Sequence, residues 1–192
     1  MPTGVHIRDA RAQLFDAAER VLLRDGPHAL TSRAVTTEAG VAKGVLHRHF
    51  EDFDGFLTEL VLDRIARLGS LAPIAGLGTV VENLTEALTG LFSSVAVAIV
   101  ALITFRDDLR LRLREARGTG GVPLATEATM MIGDYLRAER DHGRIAADAD
   151  IDTLAPTLVG AGHLLFADRH AGPPDPKAMR RMVRTVLAAT LT

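Results

Sequence analysis

Basic side chains and hydroxyl groups are concentrated between Thr31 and Phe50, in the stretch TSRAVTTEAGVAKGVLHRHF. Lys43 and Arg48 carry cationic hydrogen-bond donors, and the His47 imidazole can also donate a hydrogen bond. Groups of this kind bind phosphate oxygens and the edges of nucleic-acid bases. The chemistry that this stretch offers is therefore recognition of a polyanion.

The spacing within this stretch is that of a helix-turn-helix. The small residue Thr36 lies four positions before the turn-forming Gly40, so two helices can approach closely. The apolar residues able to pack the unit against a preceding helix are Val35, Val41, Leu46 and Phe50. The residues that leave the apolar side of the second short helix are Lys43, Val45, His47 and Arg48. The same residues also fit a compact helical hairpin with ordinary surface charges.

Motifs for catalysis or cofactor binding are missing from the sequence. The segment Gly76–Val81 begins like a dinucleotide-binding fingerprint, but Val81 stands where the third glycine belongs. No P-loop, GxSxG or HExxH pattern occurs. We therefore predict no catalytic residue and no cofactor, and a binding protein is favoured over an enzyme.

The sequence favours no metal site either. His47 and His49 are two positions apart and point to different sides of a helix, so they cannot hold one metal ion together. The aspartates at 148, 150 and 152 precede a predicted helix, where capping is the more common role. The absence of cysteine excludes disulfides and thiolate ligands.

The composition is that of a globular chain. Of the 192 residues, 47% are hydrophobic and 24% are charged. Residues 1–50 carry seven Lys or Arg and five Asp or Glu, whereas the whole chain has a formal net charge of −2. The longest apolar run, 95–105, is short of the roughly 20 residues of a membrane span and predicts a buried core helix. The N-terminal residues lack a secretory signal pattern, so we expect a cytoplasmic protein without a membrane partner.

Apolar residues recur at helical spacing along most of the chain, which predicts an all-α fold. Asp108–Arg114 also shows the alternation of a strand, but a lone strand would have no partner, so a helix is favoured there. Gly and Pro between 69 and 78 predict a domain junction. The predicted domains are a helix-turn-helix domain over 7–68 and a second helical domain over 78–192. The predicted helices cover 7–25, 31–39, 42–49, 52–68, 80–91, 95–105, 106–114, 123–143, 153–168 and 175–187. Thr31, Asp52 and Asp152 are the predicted caps of their helices, Pro123 is expected in the first turn of its helix, and Asp175 with Pro176 opens the last one.

The stretch AGVAKGVLHRHF, followed by a helix with an acidic cap, resembles the DNA-binding domain of the tetracycline-repressor (TetR) family. The resemblance covers about Arg8 to Leu68. It departs at Phe53, where the family has a phosphate-binding lysine, and at Thr36, where alanine is usual. The DNA-contacting residues that the resemblance implies are Thr31, Arg33, Lys43, Gly44, Val45, His47 and Arg48.

The resemblance also implies a C-terminal part that dimerises and binds a small molecule. The helices near 124–142 and 153–168 would pair across a two-fold axis, which matches a palindromic operator on double-stranded DNA. Among apolar candidates for a pocket, Tyr135 and His163 could orient a ligand by hydrogen bonding. The candidate ligand-binding residues, each of which also fits ordinary core packing, are Phe92, Val95, Ile99, Ile103, Phe105, Met130, Tyr135, His163 and Phe166.

The sequence therefore predicts a ligand-responsive transcriptional regulator, a repressor that binds its operator as a homodimer and is released by a small apolar effector. The alternative is a helical small-molecule-binding protein whose helix-turn-helix has degenerated. Phe53 and the acidic residues Glu51, Asp52 and Asp54 motivate that alternative, because they oppose DNA binding.

Overall fold

The structure is a computed structural model that describes residues 6–92, 94–168 and 174–192. Within these ranges the chain forms ten α-helices and one isolated antiparallel bridge between Ile145 and Leu191, which confirms the all-α prediction. The helices are α1 (His6–Asp25), α2 (Ser32–Glu38), α3 (Gly44–His49), α4 (Phe53–Ala66), α5 (Val80–Phe92), α6 (Ala96–Thr104), α7 (Asp107–Arg117), α8 (Ala125–Asp141), α9 (Ile151–Phe166) and α10 (Pro176–Leu187).

The chain divides into two compact units. The N-terminal unit comprises Met1–Arg64 and Ala98–Val122, and the C-terminal unit comprises Ile65–Val97 and Pro123–Thr192. Residues from α7 thus group with the helix-turn-helix, although they lie far from it in sequence. The functional division at 7–68 and 78–192 stays a prediction.

The N-terminal unit is built around α1. One face of this helix lies in the core, where Leu14, Ala17 and Val21 are buried. Phe15, also from α1, packs its ring 5.8 Å from Phe50 and 5.6 Å from Phe56, measured between ring centroids. This aromatic cluster joins α1 to the end of α3 and to α4.

The segment 107–117 is helical, as favoured over the strand alternative. Leu109 and Leu113 are four residues apart and buried, whereas Leu111 between them is exposed. A helix brings residues four apart to one face, while a strand would have placed all three leucines on the same side.

The C-terminal unit has its own core, formed by α5, α8, α9 and α10. Close packing of α5 and α9 depends on Gly162, since a Cβ there would lie 2.8 Å from Cε2 of Phe92. The buried apolar residues of this core include Leu84, Leu88, Phe92, Ile132, Leu136, Leu158, Val183 and Leu187.

Two predicted helix starts differ from those observed. Asp150, not Asp152, caps α9, because its carboxylate accepts a hydrogen bond of 3.1 Å from the Thr153 amide. Asp152 instead lies within the helix and pairs with Arg137 at 2.7 Å. Pro123 was expected in the first turn of α8, but that helix begins at Ala125. Leu124 intervenes with a φ of 68°, and its amide donates to the Glu127 carboxylate at 2.8 Å.

Among the described helices, none is by itself long and apolar enough to cross a membrane. The helices α5 and α6 pass that test only as a pair, and only by length and composition.

Candidate nucleic-acid interface

Local hydrogen bonds fix the turn between α2 and α3. The Thr31 hydroxyl caps α2 by accepting a hydrogen bond of 3.1 Å from the Ala34 amide, as predicted. Gly40 has a φ of 67°, a left-handed conformation that favours glycine, and the next amide, of Val41, donates to the Thr36 carbonyl at 3.0 Å. The buried Thr36 hydroxyl donates to the Ser32 carbonyl, so its additional polar group is satisfied inside α2.

One side of α3 faces the core and the other faces solvent. Leu46 is fully buried in this helix, and Phe50 is buried directly after it. The solvent side carries Arg48 and His47, and the N-cap residue Lys43, directly before the helix, adds a second exposed cation. Of the seven residues predicted to contact DNA, Thr31, Arg33, Lys43, Gly44, His47 and Arg48 are exposed and Val45 is half-buried. All seven lie on the helix-turn-helix of the N-terminal unit, and their contacts with DNA stay a prediction.

A surface hollow of about 480 Å³ lies beside α2. Two predicted DNA-contacting residues, Thr31 and Arg33, line it, together with Arg24, Ala34, Thr37 and Glu38. Glu38 accepts hydrogen bonds of 2.8 Å from both Arg20 and Arg24 of α1. These two bonds, with that of Arg20 the stronger influence, lower the pKa of Glu38. The negative charge at the end of α2 is therefore compensated by α1.

Ion pairs compensate part of the acidic cluster at the start of α4. Asp52 contacts Arg112 at 2.8 Å, and Asp54 contacts Arg106 at 2.6 Å. Asp52 also caps α4 by accepting from the Gly55 amide, as predicted. That backbone hydrogen bond, followed by the Arg112 contact, lowers the pKa of Asp52. Of the three acids Glu51, Asp52 and Asp54, which oppose DNA binding, two are thus paired with arginines.

These arginines are far along the chain from the carboxylates that they pair with. Arg112 is 60 residues from Asp52, and Arg106 is 52 residues from Asp54. Nothing local in the sequence indicates which carboxylates Arg106 and Arg112 meet. Phe53, which stands where the family has a phosphate-binding lysine, stacks on Phe56 with ring centroids 5.7 Å apart.

The predicted ligand-binding residues are only partly brought together. In the C-terminal unit the ring centroid of Phe92 lies 5.8 Å from that of His163 and 6.2 Å from that of Phe166. Burial lowers the pKa of His163, which favours its neutral form. Of the others, Val95, Ile99 and Ile103 are buried, whereas Phe105 and Met130 are exposed. Ile99, Ile103 and Phe105 belong to the N-terminal unit.

Tyr135, expected to orient a ligand, is engaged within the protein. Its fully buried hydroxyl accepts a hydrogen bond of 2.8 Å from the Asn83 amide group. Burial, and next a hydrogen bond to Glu139, raise the pKa of Tyr135. Glu139 is itself buried and pairs with Arg144 at 3.0 Å. A ligand would have to replace one of these contacts to bind the hydroxyl.

Within the described ranges, no group of three or more His, Cys, Asp or Glu side chains could hold a metal ion.

Comparisons with known proteins agree with this geometry. Residues 14–60 match the family model "Bacterial regulatory proteins, tetR family". The chain is 24% identical over 149 residues to the HTH-type transcriptional repressor Rv1474c of Mycobacterium tuberculosis. The aligned segment covers 78% of this chain and 76% of that protein.

Solved structures share the fold along most of the chain. Reduced NemR from E. coli superposes with a TM-score of 0.73 at 14% identity, covering 96% of this chain and 98% of that one. FadR from Bacillus subtilis, solved in complex with stearoyl-CoA, has a TM-score of 0.67 at 18% identity, covering 92% and 97%. Residues 14–60 are thus similar to the helix-turn-helix domain of the TetR family of bacterial regulatory proteins, and most of the chain shares its fold with NemR and FadR.

Proposed function

We propose that this protein is a TetR-family transcriptional regulator, a repressor that binds a palindromic DNA operator as a homodimer and is released by a small apolar effector. The observation that carries the proposal is the two-sided α3, with Leu46 in the core and with Lys43, His47 and Arg48 exposed. A short helix of this kind can enter the major groove with its cationic side toward bases and phosphates. The name of the mycobacterial relative supports the repressor role.

Within the interface, Arg48 is the residue proposed to read a base. Its planar guanidinium can donate two hydrogen bonds to guanine in the major groove. Lys43 would bind phosphate as a point charge, and His47 would donate to phosphate. The residues proposed to approach the operator from α2 and the start of α3 are Thr31, Arg33, Gly44 and Val45.

The proposed dimer interface is formed by α8 and α9. The two helices are joined within one subunit by the Arg137–Asp152 ion pair. Each also exposes a large apolar side chain, since Met130 is 60% exposed and Leu164 is 74% exposed. A two-fold axis through such a face buries both side chains and duplicates the helix-turn-helix. The operator would then have two half-sites separated by one helical turn or a multiple of it.

The proposed effector site includes the aromatic cluster Phe92, His163 and Phe166 in the C-terminal unit. Aromatic rings with one nearby polar group are typical of sites for apolar ligands. The related fold of FadR holds stearoyl-CoA, which supports a ligand with a long apolar part. In this proposal the dimer exchanges between a conformation that binds the operator and one that does not. An effector that binds the second conformation more tightly raises its population by that difference in affinity, and so lowers the affinity for the operator.

The test of the proposed function is a mobility shift with DNA that flanks the coding region of the protein. We expect the protein to form a shifted complex with this DNA. A scrambled duplex of the same length, added at equal concentration, should not displace it. Equal affinity for both duplexes would overturn the proposal. It would favour the alternative of a small-molecule-binding protein with a degenerate helix-turn-helix, for which Phe53 in place of lysine is the supporting observation.

A further inference from the structure

Two side chains of α1 bond to the C-terminal ends of both helices of the helix-turn-helix. Gln13 donates from Nε2 to the carbonyl of Ala39, at the end of α2, at 2.8 Å. Arg11 donates from Nη1 to the carbonyl of His49, the last residue of α3, at 3.3 Å. The last carbonyls of a helix have no partner within it, so these bonds attach the helix ends to α1.

Arg11 makes two further contacts. Its guanidinium carbon lies 4.6 Å from the centre of the Phe50 ring, a cation–π contact at the residue that follows α3. Its Nη2 forms an ion pair with Glu59 of α4. A guanidinium has five donors in a rigid plane, so one side chain can hold several groups in a fixed arrangement. Arg11 thereby links α1, the end of α3 and α4.

We infer that Arg11 is a positioning residue for DNA recognition, which fixes the C-terminal end of α3 while Glu59 holds the guanidinium in place. The inference rests on the proposed function, because the orientation of α3 decides how Lys43 and Arg48 meet DNA. The two partners are accessible to substitution, since the side chains of Arg11 and Glu59 are 36% and 41% exposed. Neither needs to touch DNA for this role.

The charge of Glu59 allows a sharp distinction. Long-range electrostatics predicts that removal of a carboxylate strengthens binding to every DNA sequence, because less negative charge opposes the phosphates. Positioning predicts the opposite for the specific site, since a displaced α3 loses base contacts. Glu59→Gln therefore separates the two explanations by the sign of its effect. Asp16→Asn, on the exposed surface of α1, is the control with the same change of charge.

The experiment uses the duplex that the full-length wild-type protein enriches from a randomised library, together with a scrambled duplex. Affinity for both is measured over a range of salt concentrations. We expect Glu59→Gln to lower the ratio of specific to non-specific affinity about tenfold, which corresponds to about 1.4 kcal/mol. Its affinity for the scrambled duplex should be equal or higher. Asp16→Asn should leave the ratio unchanged.

Variants of Arg11 complete the test. Arg11→Met should lower the ratio as Glu59→Gln does, and the double variant should be no worse than Arg11→Met, because both changes remove one linkage. Arg11→Lys keeps the cation without the planar fork, so its ratio should lie between those of wild type and Arg11→Met. Amide hydrogen exchange of the free protein should be accelerated in α3 more than in α1.

Each contrary result has a distinct meaning. A wild-type protein that enriches no sequence would overturn the proposed function itself. If the wild type does enrich one, and Glu59→Gln behaves like Asp16→Asn, the positioning role is wrong. Equal loss of affinity for both duplexes, with faster exchange throughout α1 to α4, would show a general loss of stability and would also overturn it.

Discussion

At the scale of single residues, Arg48 and Lys43 are expected to contribute to DNA binding in different ways. Arg48→Ala should lower affinity for the specific duplex by about 1–3 kcal/mol if a bidentate contact to a base is lost. Lys43→Ala should weaken binding to all duplexes and reduce the slope of log affinity against log salt by about one. Fluorescence anisotropy at several salt concentrations measures both effects. Equal and salt-independent losses in the two variants would contradict these roles.

His163 provides a prediction about pH. Burial lowers its pKa in the folded protein below the ordinary value of 6.5, so the folded state binds the proton less readily than the unfolded state. Its contribution to stability is therefore fully present above pH 6.5 and is lost as the pH falls through the lower folded pKa. His163→Leu removes this loss.

The comparison is made by urea denaturation on both sides of that pH. As the solution is acidified, the free energy of unfolding of the wild type should fall relative to that of His163→Leu. A difference between the two proteins that stays constant with pH would contradict the assignment.

At the scale of helices, the close packing of α5 on α9 predicts opposite effects for two glycines. Gly162→Ala places a methyl group against the buried ring of Phe92 and should destabilise the fold by about 1–3 kcal/mol. Gly90→Ala is the matched control, because a Cβ at Gly90 of α5 meets no atom within 4 Å. Alanine has a higher helix propensity than glycine, so Gly90→Ala should stabilise the fold by up to about 1 kcal/mol.

Chemical denaturation of both glycine variants at one protein concentration provides the measurement. Similar changes in the free energy of unfolding would mean that Phe92 moves aside without cost. In that case the distance between α5 and α9 is not set by Gly162.

At the scale of the whole molecule, the proposed dimer makes Leu164 a sensitive position. Leu164→Glu would place a carboxylate in an apolar interface and should weaken dimerisation at least about tenfold, since burying an unpaired charge is costly. Leu111→Glu is the control, because Leu111 is also exposed, at 59%, but lies on α7 of the N-terminal unit. Sedimentation velocity over a range of concentrations measures the equilibrium. Equal dimerisation of both variants would contradict an interface at α9.

The sequence alone determined the helical class and most helix ends. Thr31 caps α2, and Asp175 caps α10 by accepting from the Lys177 amide, both at positions chosen from residue type and spacing. Such signals act between residues two to four apart, so they can be read along the chain. The helix-turn-helix was predictable for the same reason, because its turn and its apolar positions fall within twenty consecutive residues.

Only the tertiary structure decided which partners the polar side chains take. It pairs Asp52 with Arg112, places Arg11 at the end of α3, and engages the Tyr135 hydroxyl with Asn83 instead of leaving it for a ligand. These partners are 38 to 60 residues apart in the chain. A side chain accepts any group of suitable charge and geometry, and the packing of apolar helix faces alone determines which group comes within reach.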